Sequence, residues 1–319
     1  MKPAKPVLVT GGAGFIGAHL VERLLQDNKT VVVIDDLSTG NLKNLATVMT
    51  NPHFHFIRSK ISDCAKLPEL AAKAEFIFHL AATVGVELVV KSALHVLEAS
   101  FNETQILLRA AAKPATPLLL TSTSEVYGKS AKPEFSEDDD LLIGPPGQSR
   151  WSYACSKLTD EFLALAYARE KKLPVTIARL FNTVGPRQTG RYGMVLPRFI
   201  AAAKKNEPLK VFGDGRQSRC FCLVHDVVEA LVRLQNCPKA RGEIFNIGGT
   251  EEVSMLELAR LVVKTLGSKS TIELVPYDKA YAPGFDDMRR RKPLVEKLER
   301  LVKFKPQTPL GEIIRQTAE

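Results

Sequence analysis

Short apolar runs alternate with amphipathic stretches through residues 1–180. Val7-Leu8-Val9-Thr10 predicts a buried strand, and the apolar spacing of Ala18-His19-Leu20-Val21-Glu22-Arg23-Leu24-Leu25 predicts a helix directly after it. Thr30–Ile34, Phe54–Ile57, Phe76–Ala82 and Pro117–Thr121 read as further strands, residues 94–112 as a helix, and Val175–Leu180 as a sixth strand. Strands separated by helices imply an α/β fold with a doubly wound parallel sheet, whose ligands lie beyond the carboxyl ends of the strands. Past about residue 180 the alternation weakens, and shorter elements rich in Gly, Pro and Arg take over. Residues 243–249 are strand-like enough to return to the sheet. Ser254 with Glu257 three positions on predicts a capping box opening a helix. The expected organisation is one unit over 1–180, joined by the strand near 243–249, and a smaller α/β unit over 181–319.

Between the first strand and its helix stands Gly11-Gly12-Ala13-Gly14-Phe15-Ile16-Gly17. Glycines at 11, 14 and 17 allow a tight turn, close backbone approach to a pyrophosphate, and close helix–strand packing; the helix N-terminus offers free N–H groups to phosphate. The second strand ends in Asp35-Asp36, where carboxylates meet the adenosine ribose hydroxyls and repel a 2′-phosphate. The pattern is Rossmann-like, and NAD is the expected cofactor.

Composition narrows the classes. The chain has 319 residues, 45% hydrophobic and 25% charged, with no apolar run near the ~20 residues that cross a bilayer. The N-terminus lacks a signal-peptide pattern, so the expectation is a cytoplasmic protein without membrane partners. Five cysteines do not suggest a disulfide framework, and Cys220-x-Cys222 lacks a second ligand pair at zinc spacing, so no metal is expected. The net charge of +9 is scattered apart from Arg289-Arg290-Arg291-Lys292, and only 7% of residues are aromatic. That argues against nucleic acid and is consistent with a small anionic substrate.

Tyr153 and Lys157 are four apart on a segment with helical spacing, so both side chains share one face. A phenol titrates near ~10, and a cation beside it favours the phenolate needed for base catalysis.

Together these residues carry a resemblance. The chain resembles the extended short-chain dehydrogenase/reductase family, in particular its nucleotide-sugar epimerases, dehydratases and decarboxylases. The likeness rests on the glycine turn, Asp35-Asp36, His79-Leu80-Ala81-Ala82, Ser124-Glu125-Val126-Tyr127-Gly128, Tyr153 with Lys157, Arg179-Leu180-Phe181-Asn182, Gly185-Pro186-Arg187 and Val211-Phe212-Gly213-Asp214-Gly215. It implies that Thr123, Tyr153 and Lys157 form the catalytic trio. Cofactor contacts are implied from Gly11, Gly14, Phe15, Ile16, Gly17, Asp35, Asp36, Asp63, Ala81, Tyr153 and Lys157. Asn182 and Arg219 are implied to meet a substrate diphosphate and Phe212 to border the nucleobase, which makes residues 181–319 a nucleotide-sugar-binding domain. Relatives are commonly homodimers packed through the helices around Asn102 and Tyr153.

The same resemblance bears on the reaction. Dehydratases of this kind carry Thr-Asp-Glu where this chain has Thr123-Ser124-Glu125, a triplet similar to that of UDP-glucuronate decarboxylases. Arg150-Trp151-Ser152-Tyr153 and Asp287-Met288-Arg289-Arg290-Arg291-Lys292-Pro293 resemble the same enzymes, adding Ser124, Glu125 and Arg291 to the catalytic set and Arg291 as a uronate ligand. The segment 181–193 is at least as similar to UDP-glucuronate 4-epimerases, with Arg187 or Arg191 as carboxylate ligands. The expectation is transient oxidation at C4 of a UDP-uronate: decarboxylation to UDP-xylose first, 4-epimerisation to UDP-galacturonate second, a UDP-glucose epimerase or a non-catalytic dinucleotide sensor behind them.

Overall fold

The computed structural model describes residues 5–82, 93–189, 194–276 and 288–319. Six strands, β1 (Val7–Thr10), β2 (Val31–Asp35), β3 (Phe54–Arg58), β4 (Phe76–His79), β5 (Leu118–Thr123) and β6 (Val175–Leu180), alternate with helices α1 (Phe15–Gln26), α2 (Leu67–Lys73), α3 (Ala93–Ala112) and α4 (Trp151–Lys171). There follow β7 (Thr183–Val184), α5 (Val195–Lys204), β8 (Leu209–Phe212), β9 (Ser218–Cys220), β10 (Cys222–Leu223) and α6 (Val224–Gln235). Next come β11 (Ile244–Ile247), β12 (Glu252–Ser254), α7 (Met255–Leu266), β13 (Ile272–Val275), α8 (Glu296–Val302) and α9 (Leu310–Ala318).

The main sheet runs β11-β6-β5-β4-β1-β2-β3, and every pairing in it is parallel. Strand direction therefore places Gly11, Asp35, Leu80, Thr123 and Phe181 at one edge, and the strand order reverses between β1 and β4. Period-two geometry divides the core: Val7 and Val9 of β1 pack in one layer, Leu8 in the other. The strand expected near 243–249 does return to the sheet, as β11 beside β6. The capping box at Ser254 is present, with Glu257 N donating to Ser254 Oγ at 3.2 Å.

The C-terminal part has its own apolar cluster, in which Leu196, Leu209, Leu258 and Ile314 are fully buried. Its strands form three two-stranded pairings, β7 with β10, β8 with β13 and β9 with β12. No helix among the described residues is long and apolar enough to cross a membrane.

A buried ionic network ties α4 to the sheet. Arg179 of β6 donates to Glu161 of α4 (Nη2 to Oε2, 2.8 Å) and to the Tyr127 hydroxyl (3.0 Å). Burial pushes the Tyr127 phenol up to about 12. Breaking a buried pair of this kind costs about 3–5 kcal/mol, so the helix that carries Tyr153 is held firmly in register.

Candidate active site

The glycine turn is shaped for close approach. Gly11 has φ +74°, and a Cβ there would stand 2.6 Å from Ala81 N; a Cβ on Gly17 would overlap Gly11 O. Gly14 caps α1 without any side-chain bond, so the first N–H groups of the helix have no side-chain acceptor at that position. Asp35 is buried, with Oδ2 accepting from Ala13 N (2.9 Å) and Oδ1 from Leu37 N (2.8 Å). Burial raises its pKa against those two bonds, and Asp36 adds to the rise. The carboxylate thus ties the end of β2 to the glycine turn and still has acceptor capacity on each oxygen. A backbone cradle with a carboxylate beside it fits a dinucleotide pyrophosphate and ribose.

A cleft of about 1320 Å³ runs from this turn past the ends of β4, β5 and β6 to the C-terminal part. Its walls include the glycine turn, Asp35, Asp36, Asp63, Ala81, Thr123, Ser124, Glu125, Tyr153 and Lys157, and on the other side Asn182, Phe212, Arg219 and Arg291. Residues far apart in sequence meet because each follows a strand of one parallel sheet or faces it from the C-terminal part.

Tyr153 lies in the first turn of α4. The start of that helix is fixed by Trp151, whose ring is buried against Gly144 and whose Nε1 donates to Gln148 Oε1 at 3.0 Å. Thr123 ends β5, and its hydroxyl is in hydrogen-bond contact with the Tyr153 phenol. Burial, then the negative charge of Glu125, push the phenol above its ordinary value; Thr123 pulls it down and Asp160 pushes it up. The expected depression by Lys157 is not among these influences; the Lys157 ammonium is engaged by Asp160 at 2.9 Å.

Glu125 follows two residues after Thr123. Arg291 Nη1 stands 2.6 Å from Glu125 Oε1, and Arg150 Nη2 stands 3.3 Å from Oε2. Burial opposes ionisation of Glu125, yet Arg291, Arg150 and Arg219 together outweigh it and hold the carboxyl below its ordinary range. Three guanidinium groups thus gather around one carboxylate at this end of the cleft.

Not every expected residue reaches the cleft. Arg187 does not line it: Nη2 pairs with Glu22 at 2.7 Å and with His19 Nδ1 at 2.8 Å, and Nη1 donates to Asn44 O at 2.8 Å. It joins the 185–189 loop to α1 through the Glu22 carboxylate instead of facing the cleft. Arg191 lies outside the described residues. His79 is a packing residue, held between Thr10 Oγ1 (2.7 Å) and Thr104 Oγ1 (3.1 Å), with burial lowering its pKa to about 3. Arg150 meets Glu125 across 25 residues, a contact with no local signature in the sequence. Arg198, stacked on Phe212 at 4.8 Å, has no such signature either.

Known proteins resemble this chain over most of its length. The family model described as NAD dependent epimerase/dehydratase family matches residues 7–248. UDP-N-acetyl-alpha-D-glucosaminuronate decarboxylase of Bacillus cytotoxicus is 41% identical over 316 residues, covering 99% of this chain and 97% of that protein. UDP-glucuronic acid decarboxylase 2 of Arabidopsis thaliana is 36% identical over 96% of this chain, which spans 66% of that protein's length. Among solved structures, UDP-glucuronic acid 4-epimerase from Bacillus cereus, in complex with UDP-glucuronic acid and NAD, superposes with a TM-score of 0.87 at 29% identity, covering 98% of each chain.

Proposed function

This chain belongs to the NAD dependent epimerase/dehydratase family, and from that membership we propose that it is a UDP-hexuronate decarboxylase. The carrying observation is the cluster around Glu125, where the guanidinium groups of Arg291 and Arg150 are held on its two oxygens beside Thr123 and Tyr153. A neutral sugar gives such a cluster no purpose; a uronate does. Bound NAD supplies the two-electron acceptor that takes the hydrogen of C4 and later gives it back.

The roles of the side chains follow. Thr123 holds the C4 hydroxyl, and Tyr153 takes its proton. The resulting C4 ketone is β to the carboxylate, so carbon dioxide departs and the electron pair of the broken carbon–carbon bond delocalises into an enolate. Arg291 orients the carboxylate; its Nη1 is bound to Glu125, while its buried Nε–H has no hydrogen-bond partner among the described residues. The depressed pKa of Glu125 favours the anion, which suits it to fixing the arginines in place, and the proton that C5 receives comes from solvent water. Ser124, buried on the same wall, stands beside Glu125. Tyr153 returns its proton to the C4 oxygen as the ketone is reduced. Asn182 and Arg219 face the diphosphate and Phe212 the base.

Two substrates fit this chemistry, UDP-glucuronate and its 2-acetamido counterpart, the latter supported by the Bacillus cytotoxicus relative. Incubation of the protein with NAD and each nucleotide in turn, with products read by NMR, decides. Carbon dioxide with UDP-xylose, or with the UDP-2-acetamidopentose, supports decarboxylation; a C4 epimer with the carboxylate retained overturns it in favour of an epimerase; no turnover of either uronate removes both.

Assembly is part of the proposal. Leu94, Leu97 and Phe101 stand exposed on α3 at spacings of three and four, and Phe162 is 64% exposed on α4, which packs against α3. An apolar face on two adjacent helices supports a homodimer joined through them.

A further inference from the structure

Lys157 is accompanied by a buried carboxylate that decarboxylation chemistry does not require. Asp160 follows it by three positions on α4 and is 0% exposed. Its Oδ2 lies 2.9 Å from Lys157 Nζ and accepts from Ser100 Oγ of α3, also at 2.9 Å. Its Oδ1 is buried with no hydrogen-bond partner among the described residues. Lys157 forms part of the cleft wall; Asp160 does not. A buried ion pair with one oxygen unsatisfied repays its desolvation poorly, so fold stability gives no reason for placing two charges here. An apolar residue at 160 would serve the helix better.

We propose that Asp160 is a positioning residue for the proton-transfer pair: it anchors the Lys157 ammonium from behind and offsets part of the charge that the ammonium presents to Tyr153. The inference rests on the reading of Tyr153 as the group that exchanges a proton with the sugar. One N–H of the ammonium is committed to Asp160, which leaves two for groups in the cleft. At the phenol, the negative charge of Asp160 acts in the same direction as burial and Glu125. The described charged and titratable groups around the pair are Glu125, Arg150, Arg219 and Arg291 near the end of β5, and the imidazole of His79 on β4, which senses both Lys157 and Asp160. Of these, Asp160 is the one that binds the ammonium directly.

The test is a near-ultraviolet titration of phenolate absorbance on the NAD-loaded protein and its Asp160→Asn variant, each corrected with its Tyr153→Phe counterpart. Removing the carboxylate charge should move ionisation of Tyr153 down by about one pH unit, and the acid limb of kcat/KM should move the same way. A merely structural Asp160 would lower the melting temperature and leave both profiles where they were, which overturns the proposal. Should the variant not fold, a crystal structure of the NAD complex of the unaltered protein decides: Lys157 Nζ within hydrogen-bond distance of Asp160 supports the anchor, and separation beyond about 4 Å overturns it. Absence of turnover by the unaltered protein counts against the assigned reaction alone, since the titration needs no substrate.

Discussion

Arg291 Nη1 lies 2.6 Å from Glu125 Oε1, joining the C-terminal part of the chain to the turn that follows β5. The pair lies on one wall of the cleft and orients the guanidinium proposed to hold the uronate carboxylate.

Arg291→Ala should therefore lower kcat/KM for the uronate by about 100-fold or more, the usual loss when a preorganised charged donor to the reacting region is removed. Arg291→Lys should recover only part of this, because an ammonium lacks the planar fork that grips two carboxylates. Steady-state release of carbon dioxide measures both. Equal activity of the alanine variant and the unaltered protein would remove Arg291 from the site.

Tyr153→Phe should reduce kcat by about 10²–10⁴-fold while NAD affinity holds. The phenol is held above its ordinary value by burial and by Glu125. The deprotonated, base-competent form therefore grows as pH rises, and kcat/KM of the unaltered enzyme should climb with pH through the neutral range. The residual rate of the phenylalanine variant should lack that climb. A retained pH limb would point to a different base.

Much of this arrangement is legible in the sequence, and the boundary has a physical cause. The glycine turn, Asp35, Thr123 and the Tyr153–Lys157 spacing are local signals, in which the chemistry needs particular residues a few positions apart. The strand runs gave the parallel sheet because strands buried on both faces read as continuous apolar stretches. The convergence of Arg150 and Arg291 on Glu125 has no local signal, since it forms only when distant segments meet. Arg187 shows the converse: its position after Gly185-Pro186 suggested a substrate ligand, but its partner Glu22 lies 165 residues away on α1. Asp160 stands at i+3 from Lys157, a spacing that sequence alone treats as an ordinary surface pair; its burial is what changes the meaning.

Phe162→Glu tests the proposed assembly. A charge on the apolar surface proposed as the interface should shift light-scattering mass from dimer toward monomer, because an unpaired carboxylate buried in a closed interface loses its hydration without compensation. Cofactor binding should persist, as Phe162 is not part of the cleft. An unchanged mass at low micromolar concentration would place any interface elsewhere.

Arg187 supplies the last prediction, which separates structural from substrate-binding arginines. Its guanidinium is shared among Glu22, Asn44 O and His19, and the neighbouring Gln188 and Thr189 line the cleft. Arg187→Ala should destabilise the fold by about 1–3 kcal/mol, the range for losing charge-assisted hydrogen bonds in a partly buried setting. Burial of Glu22 opposes ionisation, but the hydrogen bonds from Arg187 and Thr47 bring its pKa below the ordinary value. A carboxylate whose folded pKa is depressed contributes stability that is complete above its unfolded pKa, near ~4.3, and is lost as pH falls through the folded value. The alanine variant should therefore show a melting-temperature deficit at neutral pH that narrows on acidification below that region. A deficit that stayed constant with pH, or a loss of uronate affinity without any loss of stability, would return Arg187 to the substrate site.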